Sequence, residues 1–334
     1  MRRMIMFKNK STLGLSMLLI LLTLVIAACS SSTGKESFVK EKENQEVTNE
    51  TAESEKQETR IVKTIHGDIE IPANAERIVV DAYLPTLLLL GEKPVGATKI
   101  DLENVHIQDL IGGIESTGGS AVETILSLNP DLIISPDAEK STFEKLSKIA
   151  PTVIIPYETY GDAYEEVSAI GKMLGKDKEA EEWLTAFDEK MEQEREKVQA
   201  VMGEEETVSI FGAFGKESYI YGDGIYRGGQ AIYKHLQLTP PDRIKKELID
   251  AGETFKQVSF EVLTDYAGDY IFFDVSNGGS IDKEDAVWAS IDAVKDDKIF
   301  YLDPDRFWPF DPIAVLAQVE EVADMLVAKK NSEQ

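Results

Sequence analysis

The 334 residues contain one cysteine, Cys29, and three histidines, His66, His106 and His235. A disulfide framework is therefore excluded, and stability has to come from packing. The histidines lie far apart in sequence. A direct Zn²⁺ or Mn²⁺ site would need the fold to gather distant groups, so surface or packing roles are the simpler account of them. Positive charge is also scarce, with 35 Lys and Arg against 61 Asp and Glu and a net charge of −26. Phosphodiester backbones and anionic lipid surfaces repel such a chain, which argues against nucleic acid as a partner. Enzyme signatures are missing as well: the chain has no Gly-x-Ser-x-Gly elbow and no HExxH. Gly222-Asp223-Gly224 ahead of Arg227 only half resembles a dinucleotide loop, because the last spaced glycine is absent. A lipid-anchored envelope hydrolase is the enzyme alternative, and nothing in the chain supplies its nucleophile.

What is present begins with a basic segment, Arg2, Arg3, Lys8 and Lys10, followed by the apolar run Leu13 to Ala28. That run has 16 residues, short of the roughly 20 that span a bilayer core. With small residues before the cut, it reads as a secretory signal over residues 1–28. Ile26-Ala27-Ala28-Cys29 resembles a bacterial lipobox, which implies that Cys29 is lipidated and anchors the chain. Removing residues 1–28 deletes four basic and no acidic residues, taking the charge from −26 to −30. From Cys29 to Thr59 the composition turns to Ser, Thr, Lys, Glu, Asn and Gln, with Phe38 and Val39 almost alone as large apolar residues. Such a stretch buries too little surface to offset its ordering entropy, and as a coil of this length it would reach roughly 30 Å. It is expected to be a tether.

From Arg60 onward, short apolar runs alternate with helical patterns. Strands are expected at Arg77–Val80, Pro94–Ala97, Asp131–Ile134, Thr152–Ile155, Val208–Phe211, Tyr219–Tyr221, Tyr270–Phe273 and Lys298–Tyr301. Brief apolar runs bounded by Gly, Pro, Asp or Asn suit strands buried on both faces of a parallel sheet, so the class is α/β. The halves also repeat. Glu123 stands eight residues before Asp131, which opens a strand, and Glu261 stands eight before Asp269 in a matching run. This predicts two similar lobes, 60–175 and 204–334. Between them, Lys176 to Met202 is the longest unbroken helical pattern, with Trp183, Leu184, Phe187, Met191, Val198 and Val201 near helical spacing. It is expected to be a stiff rod joining the lobes; packing wholly on one lobe is the alternative.

Gly67-Asp-Ile-Glu-Ile-Pro, Arg77-Ile-Val-Val, Leu90-Gly-Glu-Lys-Pro-Val-Gly and the run Glu123–Ile134 resemble the iron-siderophore-binding proteins of ABC importers. Tyr221-Gly-Asp-Gly-Ile-Tyr-Arg227-Gly-Gly-Gln-Ala-Ile-Tyr, Asp265–Ile271 and Trp308-Pro-Phe-Asp-Pro312 look like the ferric hydroxamate-binding lipoproteins of Gram-positive bacteria. The likeness runs from about residue 60 to the C-terminus. It implies two Rossmann-like lobes joined by a single long helix, with a chelate in a shallow cleft and little lobe movement on binding. It further implies a monomeric, non-enzymatic receptor, lipid-anchored on the outer face of the cytoplasmic membrane. That receptor would hand a ferric siderophore to ABC permease subunits served by a cytoplasmic ATPase. No cofactor is implied, and no metal ligand, because the siderophore itself fills the six positions of iron with hard oxygen donors.

A bulky chelate with exposed iron-bound oxygens calls for aromatic walls and a cation that donates hydrogen bonds. Arg227 is the leading candidate, in a loop with Tyr219, Tyr221 and Tyr226 and next to Gly228-Gly229. The resemblance also places Tyr157 and Trp308 in the cleft. Tyr83 follows the first strand, where open α/β sheets bind ligands, and Lys99 is a candidate second cation. Trp288 is expected to pack a helix. Ile225 and Pro309 stand where the resembling receptors carry Trp and Tyr, which changes the wall shape. Few candidate cations converge, favouring a neutral or weakly charged hydroxamate over a tricatecholate. Glu123 and Glu261 each have a local reason to exist, since a helix's first turn favours carboxylates. The resemblance adds a role for both, docking onto arginines of the two permease subunits. Receptors for catecholate or carboxylate siderophores, haem or cobalamin, and a signalling ectodomain, are the alternative readings.

Overall fold

Two five-stranded sheets, one in each half of the chain, organise the computed structural model, which describes residues 58–214, 217–276 and 284–333. The lipobox cysteine Cys29 and the expected signal and tether up to residue 57 lie outside the described residues. Residues 55–334 form one unit, and none of its described helices is long and apolar enough to cross a membrane.

The unit opens with a hairpin absent from the sequence expectation, β1 (Thr59–Thr64) paired antiparallel with β2 (Gly67–Pro72). Gly67 closes its turn at φ +105°, a conformation that glycine adopts without a Cβ penalty. Alternate residues Val62, Ile69 and Ile71 pack on the core of the first lobe.

That lobe holds β3 (Ile78–Val80), β4 (Gly96–Ala97), β5 (Glu115–Ser116), β6 (Leu132–Ser135) and β7 (Thr152–Ile154), in spatial order β5-β4-β3-β6-β7. Every pairing is parallel, and β3, β6 and β7 are buried along their whole length. The second lobe holds β8 (Val208–Phe214), β9 (Glu217–Tyr221), β10 (Phe255–Val258), β11 (Tyr270–Asp274) and β12 (Ile299–Leu302), in order β10-β9-β8-β11-β12. Here the expectation of a wholly parallel sheet is corrected. β9 runs antiparallel to both β8 and β10. Two residues separate β8 from β9, enough for a hairpin and far too few for the crossover that a parallel pair needs.

The internal repeat has a physical basis at the strand starts. The Asp131 carboxylate accepts from the backbone N–H of Glu76 at 2.8 Å and of Arg77 at 3.0 Å, just before β3. In the second lobe Asp269 accepts from the N–H of Thr207 at 2.7 Å and its hydroxyl at 2.8 Å, just before β8. Each aspartate ties the start of the lobe's first parallel strand to the strand that follows the glutamate-bearing helix.

The rod is observed as a helix over Asp177–Gln199. Its Ala180 belongs to the first lobe's core, its Phe187, Met191 and Val198 to the second, and Trp183 touches both. It leaves the preceding helix, Ala163–Leu174, through Gly175 at φ +72°, a left-handed C-cap. The C-terminal helix Pro312–Ser332 is a second brace. Ile313 packs against the first core, while Val315, Val319, Val322 and Leu326 fill the second. Trp288 is buried and meets Phe273 edge-on at 5.5 Å, the helix-packing role expected of it.

Candidate functional site

A cavity of about 440 Å³ opens between the lobes. It is bounded by segments that follow parallel strands β3, β4, β7 and β12, the region where open α/β sheets leave a crevice, and by the loop after the antiparallel β9. From the first lobe come Tyr83, Tyr157 and Tyr160; from the second come Ile225, Tyr226, Trp308, Pro309 and Phe310. Tyr157 is 59% exposed and Trp308 48%, so both present open ring area to a ligand. Tyr83 sits deeper. Its hydroxyl donates to the Ile155 carbonyl at 3.0 Å, its ring stands edge-on to Tyr160 at 6.3 Å, and burial pushes its pKa up. It is floor rather than wall. Tyr226 donates its hydroxyl to Glu158 across the cleft, a link between the lobes at the cavity. Burial, reinforced by that bond, pushes the Tyr226 pKa up to about 12.

Arg227 and Lys99 stand outside the cavity lining. Arg227 has φ 52° and is buried, with Nε donating to Asp274 at 2.7 Å and its guanidinium carbon 4.0 Å from the Trp308 ring centroid. Desolvation makes such an arginine depend on its carboxylate partner, and the stack seats the tryptophan above it. Its loop is tight. A Cβ on Gly229 would come within 2.3 Å of the Gly222 carbonyl oxygen, so glycine is required there. Lys99 begins the helix Lys99–Leu102, points to solvent and pairs with Glu103 at 3.3 Å. Its neighbours Ile100 and Asp101 face the cavity instead.

Several cavity residues escaped the sequence reading. Glu166 is 8% exposed and accepts from the Thr86 hydroxyl; burial pushes its pKa up to about 8. Its signal was legible, since it falls among Ala163, Val167, Ile170 and Leu174 on the buried face of an amphipathic helix. Asp101 is pushed up to about 6 by burial, opposed by hydrogen bonds from Thr98 and the Ala82 N–H. Asp311 caps the C-terminal helix, accepting from Ile313 and Ala314 N–H at 3.0 Å each, and receives the Asn104 side chain of the opposite lobe at 2.8 Å. Burial raises its pKa. Gln230 lies at the same cavity, 3% exposed.

The three histidines have separate settings. His66 stacks on Phe143 at 4.5 Å, and the His106 ring contacts the Arg306 carbonyl at 2.9 Å. His235 is buried against Phe187, where burial lowers its pKa to about 4. No group of three or more His, Cys, Asp or Glu among the described residues could hold a metal. Glu123, in the first turn of Val122–Ser127, and Glu261, in the first turn of the 3₁₀ segment Phe260–Tyr266, are both exposed and away from the cavity.

Comparison with known proteins accords with this geometry. A Periplasmic binding protein family model matches residues 80–306. The iron(3+)-hydroxamate-binding protein YxeB of Bacillus subtilis is 34% identical, covering 97% of this chain and 98% of its own length. FhuD of the same organism, also named an iron(3+)-hydroxamate-binding protein, is 33% identical, covering 94% of this chain and 97% of its own length. Among solved structures, unliganded FhuD2 from Staphylococcus aureus superposes with a TM-score of 0.73 at 27% identity, covering 82% of this chain and 100% of that one. By its sequence, its paired α/β lobes and the cleft between them, the chain belongs to the periplasmic binding protein family.

Proposed function

We propose that this protein is an extracytoplasmic receptor that captures a ferric siderophore of the hydroxamate type in the cleft and delivers it to an ABC permease. The observation that carries the reading is the cleft itself. Its volume of about 440 Å³ lies within the range of roughly 300–1,000 Å³ usual for ligand pockets, and rings line it from both lobes while metal-ligating clusters are absent among the described residues. That combination suits a ligand that brings its metal already coordinated. The kinship to two proteins named for iron(3+)-hydroxamate binding supports it.

In this reading Tyr157, Tyr226 and Trp308 form the walls, Tyr83 the floor, and Arg227 holds Trp308 in place from behind. Lys99 serves the rim only through its pair with Glu103. Cys29 carries the lipid that keeps the receptor on the outer face of the cytoplasmic membrane; the tether ends before Glu58, since Thr59, expected within it, already pairs in β1. Glu123 and Glu261, at matching places in the two lobes, dock on the permease; exposed salt bridges there would set orientation more than affinity. The receptor acts as a monomer and performs no chemistry on its cargo.

The test is quenching of intrinsic fluorescence in the detergent-purified full chain by a ferric hydroxamate, a ferric catecholate, a ferric carboxylate chelate, haem and cobalamin. Saturable quenching by the hydroxamate at the lowest concentration is expected, because Trp308 borders the cavity. Tighter binding of another member would replace the ligand, and silence across the panel would remove the receptor reading.

A further inference from the structure

The cleft is rich in carboxylates, only one of which, Glu103, has a cation beside it among the described residues. Asp101, Glu103, Glu158 and Asp162 line it from the first lobe and Asp305 and Asp311 from the second, and no Lys or Arg lines it among the described residues. Of the cations around it, Lys99 offsets the lining Glu103 at 3.3 Å, while Arg227 is paired with Asp274 at 2.7 Å and Arg306 with Glu321, and Lys234 donates to the Gly161 carbonyl at 3.0 Å. Some of these carboxylates have local duties. Asp162 and Asp311 cap helices, and Asp101 accepts from the Ala82 N–H at 2.9 Å. Burial favours the neutral form of Asp101, of Asp311 and of Glu166, which also lines the cleft, so the negative field comes chiefly from Glu158, Asp162 and Asp305. A second observation points to an occupant. Gln230 is 3% exposed and lines the same cavity, and its side-chain oxygen Oε1 has no hydrogen-bond partner. A buried amide oxygen left unpaired is unfavourable, and a ligand donor would relieve it.

We propose that the cleft selects ferric hydroxamates whose periphery carries positive charge, such as a pendant ammonium, and rejects chelates of net negative charge. The inference rests on the hydroxamate reading and deepens it. In a ferric trihydroxamate the singly charged hydroxamates balance the metal, so the pendant group sets the sign of the whole complex. A tricatecholate or polycarboxylate complex keeps excess negative charge. A cleft lined by one sign of charge between low-dielectric walls concentrates its field and attracts the opposite sign. Repulsion of the wrong ligand contributes to selectivity as much as attraction of the right one.

A single linear ferric trihydroxamate, offered with a free terminal amine, as its N-acetyl derivative and as its N-succinyl derivative, isolates the effect. The iron centre is constant and only the pendant charge changes from positive to neutral to negative. Titration of the detergent-purified full chain at about 50 mM salt should give affinities in that order, with at least a tenfold gap between the ends. The gap should shrink at about 500 mM salt, where the Debye length is only a few ångströms. The double variant Glu103→Gln with Asp305→Asn should narrow the ratio between the amine and the succinyl form. Equal affinity for all three, or preference for the succinyl form, overturns charge selection while leaving the hydroxamate reading standing. Failure of all three to bind overturns the hydroxamate reading and this inference with it.

Discussion

In the first lobe the buried core is nearly all aliphatic, with Ile78, Val80, Leu84, Leu87, Leu132 and Ile134 around the single buried ring of Tyr83. The second lobe is built on rings, Phe211, Tyr266, Tyr270, Phe272, Phe273, Trp288 and Phe307, with Phe272 stacked on Phe300 at 4.8 Å. The lobes share the aspartate clamp at Asp131 and Asp269 and the glutamate-bearing turns at Glu123 and Glu261. They part where they meet the cleft. The first lobe brings carboxyl groups without a cation partner, the buried Glu166 and the half-buried Asp101. The second brings a buried ion pair, Arg227 with Asp274, that seats a tryptophan. A repeated scaffold thus carries two chemistries, one responsive to pH and one dependent on a single partner.

The largest effect should come from the second lobe. Arg227→Ala leaves the Asp274 carboxylate, 2% exposed, without its partner, which should cost about 3–5 kcal/mol in urea denaturation. Chelate affinity should fall with it as Trp308 loses its seat, whereas unchanged affinity would remove Arg227 from the site. Next is the pH response of the first lobe. Burial raises the Glu166 pKa from 4.5 to about 8, so the folded protein keeps a proton that the unfolded chain releases between those values. That contribution is fully present below about pH 4.5 and is lost as pH rises through about 8. Asp101, raised to about 6, acts in the same direction over a lower window. The melting temperature should therefore fall between about pH 5 and about pH 9, and Glu166→Gln should flatten the fall. An identical slope in the variant would assign the loss to other groups.

The clamp sharpens what the lobes share. Asp131→Ala and Asp269→Ala should each cost about 1–2 kcal/mol, because each strips two donors of a charged acceptor. A cost confined to one lobe would break the equivalence. The smallest effect on the purified protein is expected from Glu123→Ala combined with Glu261→Ala. Stability should change by no more than about 0.5 kcal/mol and chelate binding should be unaltered, while iron uptake by cells is lost. Weakened chelate binding would mean that these glutamates support the cleft.

Much of the scaffold is legible in the sequence, because short apolar strand runs and a long amphipathic helix carry strong local signals. All eight strands anticipated there are observed, and the repeat of Glu123–Asp131 with Glu261–Asp269 marks real equivalence. The hairpin β1–β2 and the strands β5 and β10 were not, since they are exposed or very short and lack a continuous apolar run. At the site, the exposed rings Tyr157 and Trp308 were anticipated as wall residues, and both line the cavity. Arg227 was anticipated as a direct donor, but its side chain turns to Asp274, forty-seven residues on, a contact that no local pattern encodes. Lys99 points to solvent because its helix directs the next residues, Ile100 and Asp101, to the cavity.

The most direct test of the account is the iron anomalous signal from crystals grown with a ferric trihydroxamate. One iron site is expected in the inter-lobe cleft, bounded by Tyr157 and Tyr226 on either side and by Trp308. An iron site elsewhere on the protein, with the cleft empty, would contradict it.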